Sequence, residues 1–340
     1  MWCEFRQDKG VGSNDDDTLP LQPPIRLPAD GDLVAAVRET PLTTGLLADD
    51  AGDTGEAGPA FTPDEIEILR DGSDEKVLQV WADACRFTLG TDEALFMEVV
   101  RLFLGGGPLT DDVPAVLTDL GLIRQTPPHT LTPLGLWAAG QVIGTATGQD
   151  IPVMGALAGQ DAGSLLHGLR SYPEPERDEE LAGWLADRDR AEAAAEIAAA
   201  LTEASPLSRA VGVELLATGL GEEGTRVLDG LLGEPKLGAV VAARLGREER
   251  PPTPEEIAWA FVDMAAALLE FGGETAEVIK SVSQGMEKDE QAGTIALLAL
   301  GDHPWTERVL RVFIDHHPDE RVVAAARKAL RRHGLMDARG

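Results

Sequence analysis

Apolar residues along most of this chain recur three and four positions apart, which is the spacing of an amphipathic helix. The pattern is clear over residues 75–87 and 91–104, and a shorter helix is predicted from Pro114 to about Leu120. Thr132-Pro133 is typical of a helix start and precedes a helix through Trp137 to Ile143. Only 4% of the residues are aromatic, so the enrichment that marks strands is missing and the chain is predicted to be mainly α-helical.

Two tetrapeptides have the composition of a helix start: Thr62-Pro63-Asp64-Glu65 and Thr253-Pro254-Glu255-Glu256. In each, the threonine can cap the helix, the proline suits the first turn, and the last glutamate can accept a hydrogen bond from the backbone of the cap. The first marks the beginning of a domain predicted over residues 61–150. The second opens a helix that carries Ile257, Phe261, Ala265 and Leu268 at helical spacing.

The N-terminal part of the chain has a different composition. The first 27 residues combine the run Asp15-Asp16-Asp17 with prolines, and residues 49–60 are acidic and rich in glycine. Such segments bury too little apolar surface to offset the entropy lost on ordering. Residues 1–60 are therefore predicted to be a largely disordered tail and linker, with a short helix at Asp32 to Arg38, and residues 335–340 to be a flexible C-terminus.

The C-terminal half contains an internal repeat. At an offset of 82 residues, Ala210–Gly219 matches Ala292–Gly301, Arg226–Leu228 matches Arg308–Leu310, and Val240–Ala243 matches Val322–Ala325. Because 82 is twice about 41, the offset fits helix pairs with one further pair between the matched two. That middle pair is predicted to begin at Thr253, and its second helix carries Val278, Ile279 and Val282.

This part of the chain, residues 151–334, resembles the HEAT-like, armadillo-type helical repeats, in which helix pairs stack into a curved α-solenoid. The resemblance implies an extended surface that binds a partner protein, more than it implies catalysis.

Gly121-Leu122-Ile123 follows a predicted helix, and Leu131-Thr132-Pro133-Leu134-Gly135 lies at the next helix start. In these motifs residues 75–145 resemble the winged-helix family, a module that uncharacterised actinobacterial proteins also carry. Leu122-Ile123 and Thr130-Leu131 can pair as a small hairpin. The resemblance implies a β wing between the two motifs. It also implies that, in a DNA-binding member, the helix from Pro114 to Leu120 would enter the major groove.

The charge of the chain argues against nucleic acid as a partner. Basic residues number 29 against 59 acidic ones, which gives a net charge of −30 at pH 7, so the average surface repels phosphate backbones and anionic lipids. Over residues 91–130, Arg101 and Arg124 stand against six carboxylates. DNA-binding surfaces need clustered cations, and a structural or protein-binding winged helix is therefore favoured.

The last predicted helix carries the one basic cluster that we identify: Arg321, Arg327, Lys328, Arg331 and Arg332. One interpretation is a solvated end helix whose cations complement the C-terminal end of the helix dipole. The other is a docking face for an acidic segment, including one from the N-terminal tail of this chain.

A second group of residues has the side chains of metal ligands: His303, Asp315, His316 and His317, with Asp302, Asp319 and Glu320 nearby. Imidazole and carboxylate groups bind transition metals when three of them converge on one point. These residues fall in predicted turns and lack a spacing that fixes two of them on one helix face. Turn residues and helix caps are therefore favoured, and neither a metal nor a cofactor is predicted.

The two cysteines, Cys3 and Cys85, lie far apart in the sequence, and Cys85 sits on an apolar stripe where a buried, inert thiol is expected. The N-terminus has no apolar signal region and no helix is long enough to cross a bilayer, so a cytoplasmic location is expected.

The patterns together favour a winged-helix-like helical module followed by a HEAT-like α-solenoid that acts as a non-enzymatic scaffold for another protein. One alternative is a transcriptional regulator whose winged helix binds DNA. Another is an enzyme with a site between the domains, for which no nucleophile motif or acid–base pair can be assembled from the sequence.

Overall fold

A computed structural model describes residues 23–48, 61–109, 113–247, 251–283 and 285–337. Within these ranges the protein is mainly helical, with eighteen α-helices and one 3-10 helix. The described part contains no named strand, and its β pairing consists of three isolated bridges. None of the described helices is both long and apolar enough to cross a membrane.

The chain divides into two compact units, one over Pro24–Met154 and one that contains Gly155–Gly340. The helices of the first unit are α1 (Asp30–Arg38), α2 (Pro41–Ala48), α3 (Pro63–Asp71), α4 (Asp74–Thr91), α5 (Glu93–Phe103), α6 (Ala115–Asp119) and α7 (Pro133–Thr147). Thr62 caps α3 through the predicted reciprocal hydrogen bonds with Glu65.

Part of the predicted disordered tail is folded. The short helix expected at Asp32 to Arg38 is present as α1, and a further helix, α2, follows it. Leu33, Val34 and Val37 of α1 are buried in the core of the first unit, where α1 packs against α4. The prediction of a largely disordered tail missed α2, whose Leu46 is buried in the same core. Residues 1–22 and 49–60 lie outside the described residues.

Cys85 lies on the buried face of α4, in the same core as Trp81 and Leu89. The side chain is fully buried, as predicted, and burial raises the pKa of its thiol to about 12. The thiolate is the reactive form, so the folded protein should hold this cysteine unreactive.

We therefore expect a Cys3→Ser variant to give no reaction with Ellman's reagent at pH 8 until denaturant is added, because Cys85 is then the one thiol left in the chain. The measurement is the absorbance of the released thiolate with and without urea. Rapid reaction of one thiol per chain in the absence of urea would contradict the burial of Cys85.

The helices of the second unit are α8 (Ala162–Leu169), α9 (Glu174–Leu185), α10 (Arg190–Ala200), α11 (Pro206–Thr218), α12 (Gly221–Leu231), α13 (Gly238–Leu245), α14 (Pro254–Glu270), α15 (Thr275–Ser283), α16 (Lys288–Leu297), α17 (Thr306–His316) and α18 (Glu320–Asp337), with the 3-10 helix Leu298–Leu300 after α16. Their apolar residues form two separate clusters, one from residues 162–241 and one from residues 262–329.

The repeated sequence blocks lie on corresponding helices. The first copy covers α11, α12 and α13, the second covers α16, α17 and α18, and α14 and α15 lie between them. Val213 and its counterpart Ile295 are both buried. Each matched copy contains three helices where a pair was predicted. Pro235 follows α12 and Pro318 follows α17, and proline cannot continue a helix.

α14 lies between the two copies, and its N-terminal cap is the predicted one: Thr253 and Glu256 exchange hydrogen bonds. Ile257, Phe261 and Leu268, three of the four residues that marked its predicted apolar stripe, are half-buried. The positions fully buried in their place are Ala258, Trp259, Val262, Asp263, Ala266, Leu269 and Glu270, with the predicted Ala265. The stripe was misplaced because α14 packs on helices from both sides, including α11, α15 and α17.

Candidate interaction surface

α18 has one buried and one exposed face. Val322, Ala326 and Ala329 pack into the second apolar cluster of this unit, at the three- and four-residue spacing of one helix face. Val323 and Leu330, which flank these positions, are half-buried. This face of α18 packs against α16 and α17.

The opposite face of α18 carries the predicted basic cluster. Arg327, Lys328, Arg331 and Arg332 are exposed, and none of the four makes an ion pair with any residue that the structure describes. Arg321 differs, because it bonds to Asp289 at 2.6 Å and to Asp319 at 3.3 Å. Its hydrogen bond to Asp319 raises the pKa of Arg321.

Spacing along the helix makes these cations one surface. Lys328 and Arg332 follow Arg321 by seven and eleven residues, which is close to two and three full turns of an α-helix. The three side chains therefore lie on the same side of α18. Arg331 lies beside Arg332, and the exposed Leu335 continues the stripe. We call Arg321, Arg327, Lys328, Arg331, Arg332 and Leu335 the basic face of α18.

The candidate metal ligands do not converge. His303 is buried, with 3% of its surface exposed, whereas Asp315 and His316 are exposed on the last turn of α17. His317 is half-buried, its ring stacks on Phe313, and its Nδ1 accepts a hydrogen bond from the backbone of Asp319. Among the described residues no group of three or more His, Cys, Asp or Glu side chains could hold a metal ion.

His303 belongs instead to a buried polar cluster that the sequence did not indicate. Asp263 of α14 accepts hydrogen bonds from Arg209 of α11 and, at 3.2 Å, from Nε2 of His303. The exposed fractions of Arg209, Asp263 and His303 are 6%, 3% and 3%. The guanidinium of Arg209 also lies 4.8 Å from the ring centre of Trp259. We call Arg209, Asp263, His303 and Trp259 the polar joint.

The hydrogen bonds of His303 assign a role to each ring nitrogen. The backbone N–H of Trp305 donates to Nδ1 of His303 at 3.1 Å, so Nδ1 carries a lone pair. The hydrogen atom then lies on Nε2, which donates a hydrogen bond to Asp263. The joint therefore pairs one guanidinium with one carboxylate, and the two charges offset each other in a buried environment.

A second buried carboxylate lies seven residues further along α14. Glu270 bonds to Arg170, which follows α8, at 2.6 Å, and it accepts the backbone N–H of Leu207 in the first turn of α11 at 2.9 Å. Burial lowers the pKa of the neighbouring His167, and the charge of Arg170 lowers it further. Asp263 thus links α14 to α11 by an ion pair with Arg209, and Glu270 links α14 to the end of α8 by an ion pair with Arg170.

In the first unit, the pairing predicted between Leu122-Ile123 and Thr130-Leu131 is present as one antiparallel bridge between Ile123 and Leu131. His129 makes a second antiparallel bridge with Leu109. Residues 129–131 therefore pair on both sides, in a patch smaller than a hairpin with two full strands.

The predicted reading helix is α6, with five residues and no cation. Of the two nearby arginines, Arg101 bonds to Glu98 at 2.7 Å and to the carbonyl oxygen of Gly107. Arg124 is exposed. The described residues of this surface therefore do not form the cation cluster on which phosphate binding depends.

Comparison with protein-family models, with curated proteins and with solved structures gave no match for this chain.

Proposed function

We propose that this chain is a non-enzymatic interaction protein whose HEAT-like second unit binds an acidic segment of another protein through the basic face of α18. The proposal of a helical repeat is supported by the matched sequence blocks, because the three blocks of one copy lie on α11, α12 and α13 and those of the other on α16, α17 and α18. Buried positions coincide as well, since Leu216 and its counterpart Leu298 are both fully buried.

The observation that carries the proposal is the set of four exposed cations on one helix face. They have no ion-pair partner among the described residues, in a chain whose net charge is −30. An acidic partner is repelled by the average surface and attracted at this face, which favours a single orientation of the encounter. A helix-dipole role alone would not need cations on successive turns, because the dipole acts mainly on the last turn.

For the first unit we propose a winged-helix-like module that contacts protein and not DNA. The paired segments around residues 129–131 support the fold, and the absence of cations on α6 argues against a phosphate backbone. Phe87, Met97 and Leu104 are large apolar side chains with exposed surface, which is more typical of a protein contact.

The test is an affinity pull-down from native lysate with the tagged full-length protein, with and without nuclease. Three versions are compared: the unaltered chain, an Arg331→Glu/Arg332→Glu variant, and an Arg190→Glu/Lys236→Glu control, which makes the same charge change at exposed residues of α10 and of the turn after α12. We expect a stoichiometric protein that survives nuclease, is kept by the control, and is bound at least about tenfold more weakly by the α18 variant.

Equal recovery of that protein by the two variants would show that the basic face does not bind it. Recovery of specific DNA that nuclease removes would favour the transcriptional regulator in place of the scaffold.

A further inference from the structure

A groove lies at the N-terminal end of the basic face. It has a volume of about 430 Å³ and runs between α15 and the turn that joins α17 to α18. Its lining consists of Ala276, Ile279, Lys280 and Ser283 of α15, Gln291 of α16, and His317, Pro318 and Asp319 of the turn.

The groove and the basic face are continuous. Asp319 lines the groove and bonds to Arg321, the first cation of the basic face. The same arginine reaches Asp289 of α16, so it is held in place at the boundary between the two. A segment that follows α18 towards its N-terminus therefore arrives at the groove.

The chemistry of the groove suits a flat, largely apolar group. The ring of His317 is fixed by stacking on Phe313, with 6.0 Å between ring centres, and Pro318 and Ile279 add apolar surface. Lys280 is exposed and lines the groove from α15. A cation beside an apolar slot favours an aromatic ring, through its negative face.

The length of α18 sets how many residues of a bound peptide separate its two contacts. An α-helix rises about 1.5 Å per residue, so the eleven steps from Glu320 to Arg331 cover about 16 Å. An extended peptide advances about 3.3 Å per residue, and about five of its residues therefore cover the same distance.

We infer that this groove holds an aromatic side chain of the partner, about five residues from the acidic residues that contact Arg331 and Arg332 of the basic face. The inference rests on the proposed function, because it takes the basic face as the binding site. It adds an anchor that distinguishes the partner from other acidic chains.

The test uses fluorescein-labelled peptides with a run of six aspartates, a four-residue Gly/Ser spacer and one terminal Trp, made with the Trp at either end. Matched peptides carry Ala in place of Trp. Binding to the full-length protein is followed by fluorescence anisotropy. We expect one Trp peptide to bind about tenfold more tightly than its Ala counterpart, since burial of a large aromatic side chain contributes more than the about 1.4 kcal/mol that tenfold requires.

Two variants separate the groove from the basic face. Ala276→Trp fills the groove from an exposed position of α15, and it should remove the advantage of the Trp peptide while leaving the Ala peptide unchanged. Arg331→Glu/Arg332→Glu should weaken both peptides. Circular dichroism checks that each variant keeps its helix content.

Equal binding of the Trp and Ala peptides, or an advantage that persists in Ala276→Trp, would overturn the groove as an anchor and leave the basic face intact. If Arg331→Glu/Arg332→Glu binds both peptides as tightly as the unaltered chain does, or if no peptide binds, the proposed function fails as well.

Discussion

Replacing Asp263 with alanine is expected to lower the free energy of unfolding of the second unit by about 3–5 kcal/mol. The substitution removes the one carboxylate that the structure shows beside Arg209, whose side chain is 6% exposed. It also removes the acceptor of the His303 Nε2–H. A guanidinium without its counter-ion in a buried site is costly, because neither water nor another anion replaces the lost charge.

The measurement is urea denaturation of the full chain followed by circular dichroism, together with hydrogen exchange of α14 and of residues 301–306. Asp302→Ala is the matched control, since Asp302 is exposed and directly precedes His303; its effect should stay within about 0.5 kcal/mol. A loss below about 1 kcal/mol in Asp263→Ala would mean that the polar joint does not hold α14 in place.

A double substitution tests whether charge is the cause. In Arg209→Met/Asp263→Leu both charges are absent, so no ion is left buried without its partner. We expect this variant to be more stable than Asp263→Ala, although Arg209 also donates to the carbonyl oxygens of Leu201 and Ala204. The single variants Arg209→Met and Asp263→Leu complete the cycle. The change in unfolding free energy of the double variant, minus the sum of the changes in these two, gives the coupling energy of the pair.

Local signals explain what could be predicted from the sequence. The cap at Thr62, the cap at Thr253 and the buried thiol of Cys85 each depend on residues within one or two helical turns. The exposed cations of α18 could be placed for the same reason, since charge and helical spacing together decide which side faces water. The internal repeat needed only the comparison of the chain with itself.

The polar joint could not be predicted because its contacts are distant in sequence. Asp263 lies 54 residues from Arg209 and 40 residues from His303, and an acidic chain offers many carboxylates to choose from. One signal was present: Asp263 and Glu270 are seven residues apart in an otherwise apolar stretch of α14. Carboxylates at whole-turn spacing on a buried helix indicate paired cations, but they do not say which ones.

The close approach of α7 to the segment that follows α6 leads to the second large effect. Thr132 caps α7 by accepting the backbone N–H of Gly135 at 2.8 Å, and its hydroxyl donates to the carbonyl oxygen of Gly121 at 2.6 Å. The start of α7 is thereby held against the segment that leaves α6. A Cβ atom at Gly135 would lie 1.9 Å from the carbonyl oxygen of Leu122, far inside van der Waals contact. The glycine is thus required by the close approach of two backbones.

Gly135→Ala is therefore expected to destabilise the first unit by about 3 kcal/mol or more, because the clash involves backbone atoms that cannot rotate away. Gly90→Ala is the control: Gly90 is a helical glycine of α4 with nothing within 4 Å of an added Cβ, and alanine there should stabilise by up to about 1 kcal/mol. Thermal denaturation shows whether each variant is more or less stable than the unaltered chain. Hydrogen exchange of Arg124 and Thr132, whose amides bond across the patch to Thr130 and Leu122, locates the effect. If both alanines stabilised the protein, the backbone of Leu122 would not lie against α7, and the pairing of residues 129–131 that supports the winged-helix proposal would lose its main constraint.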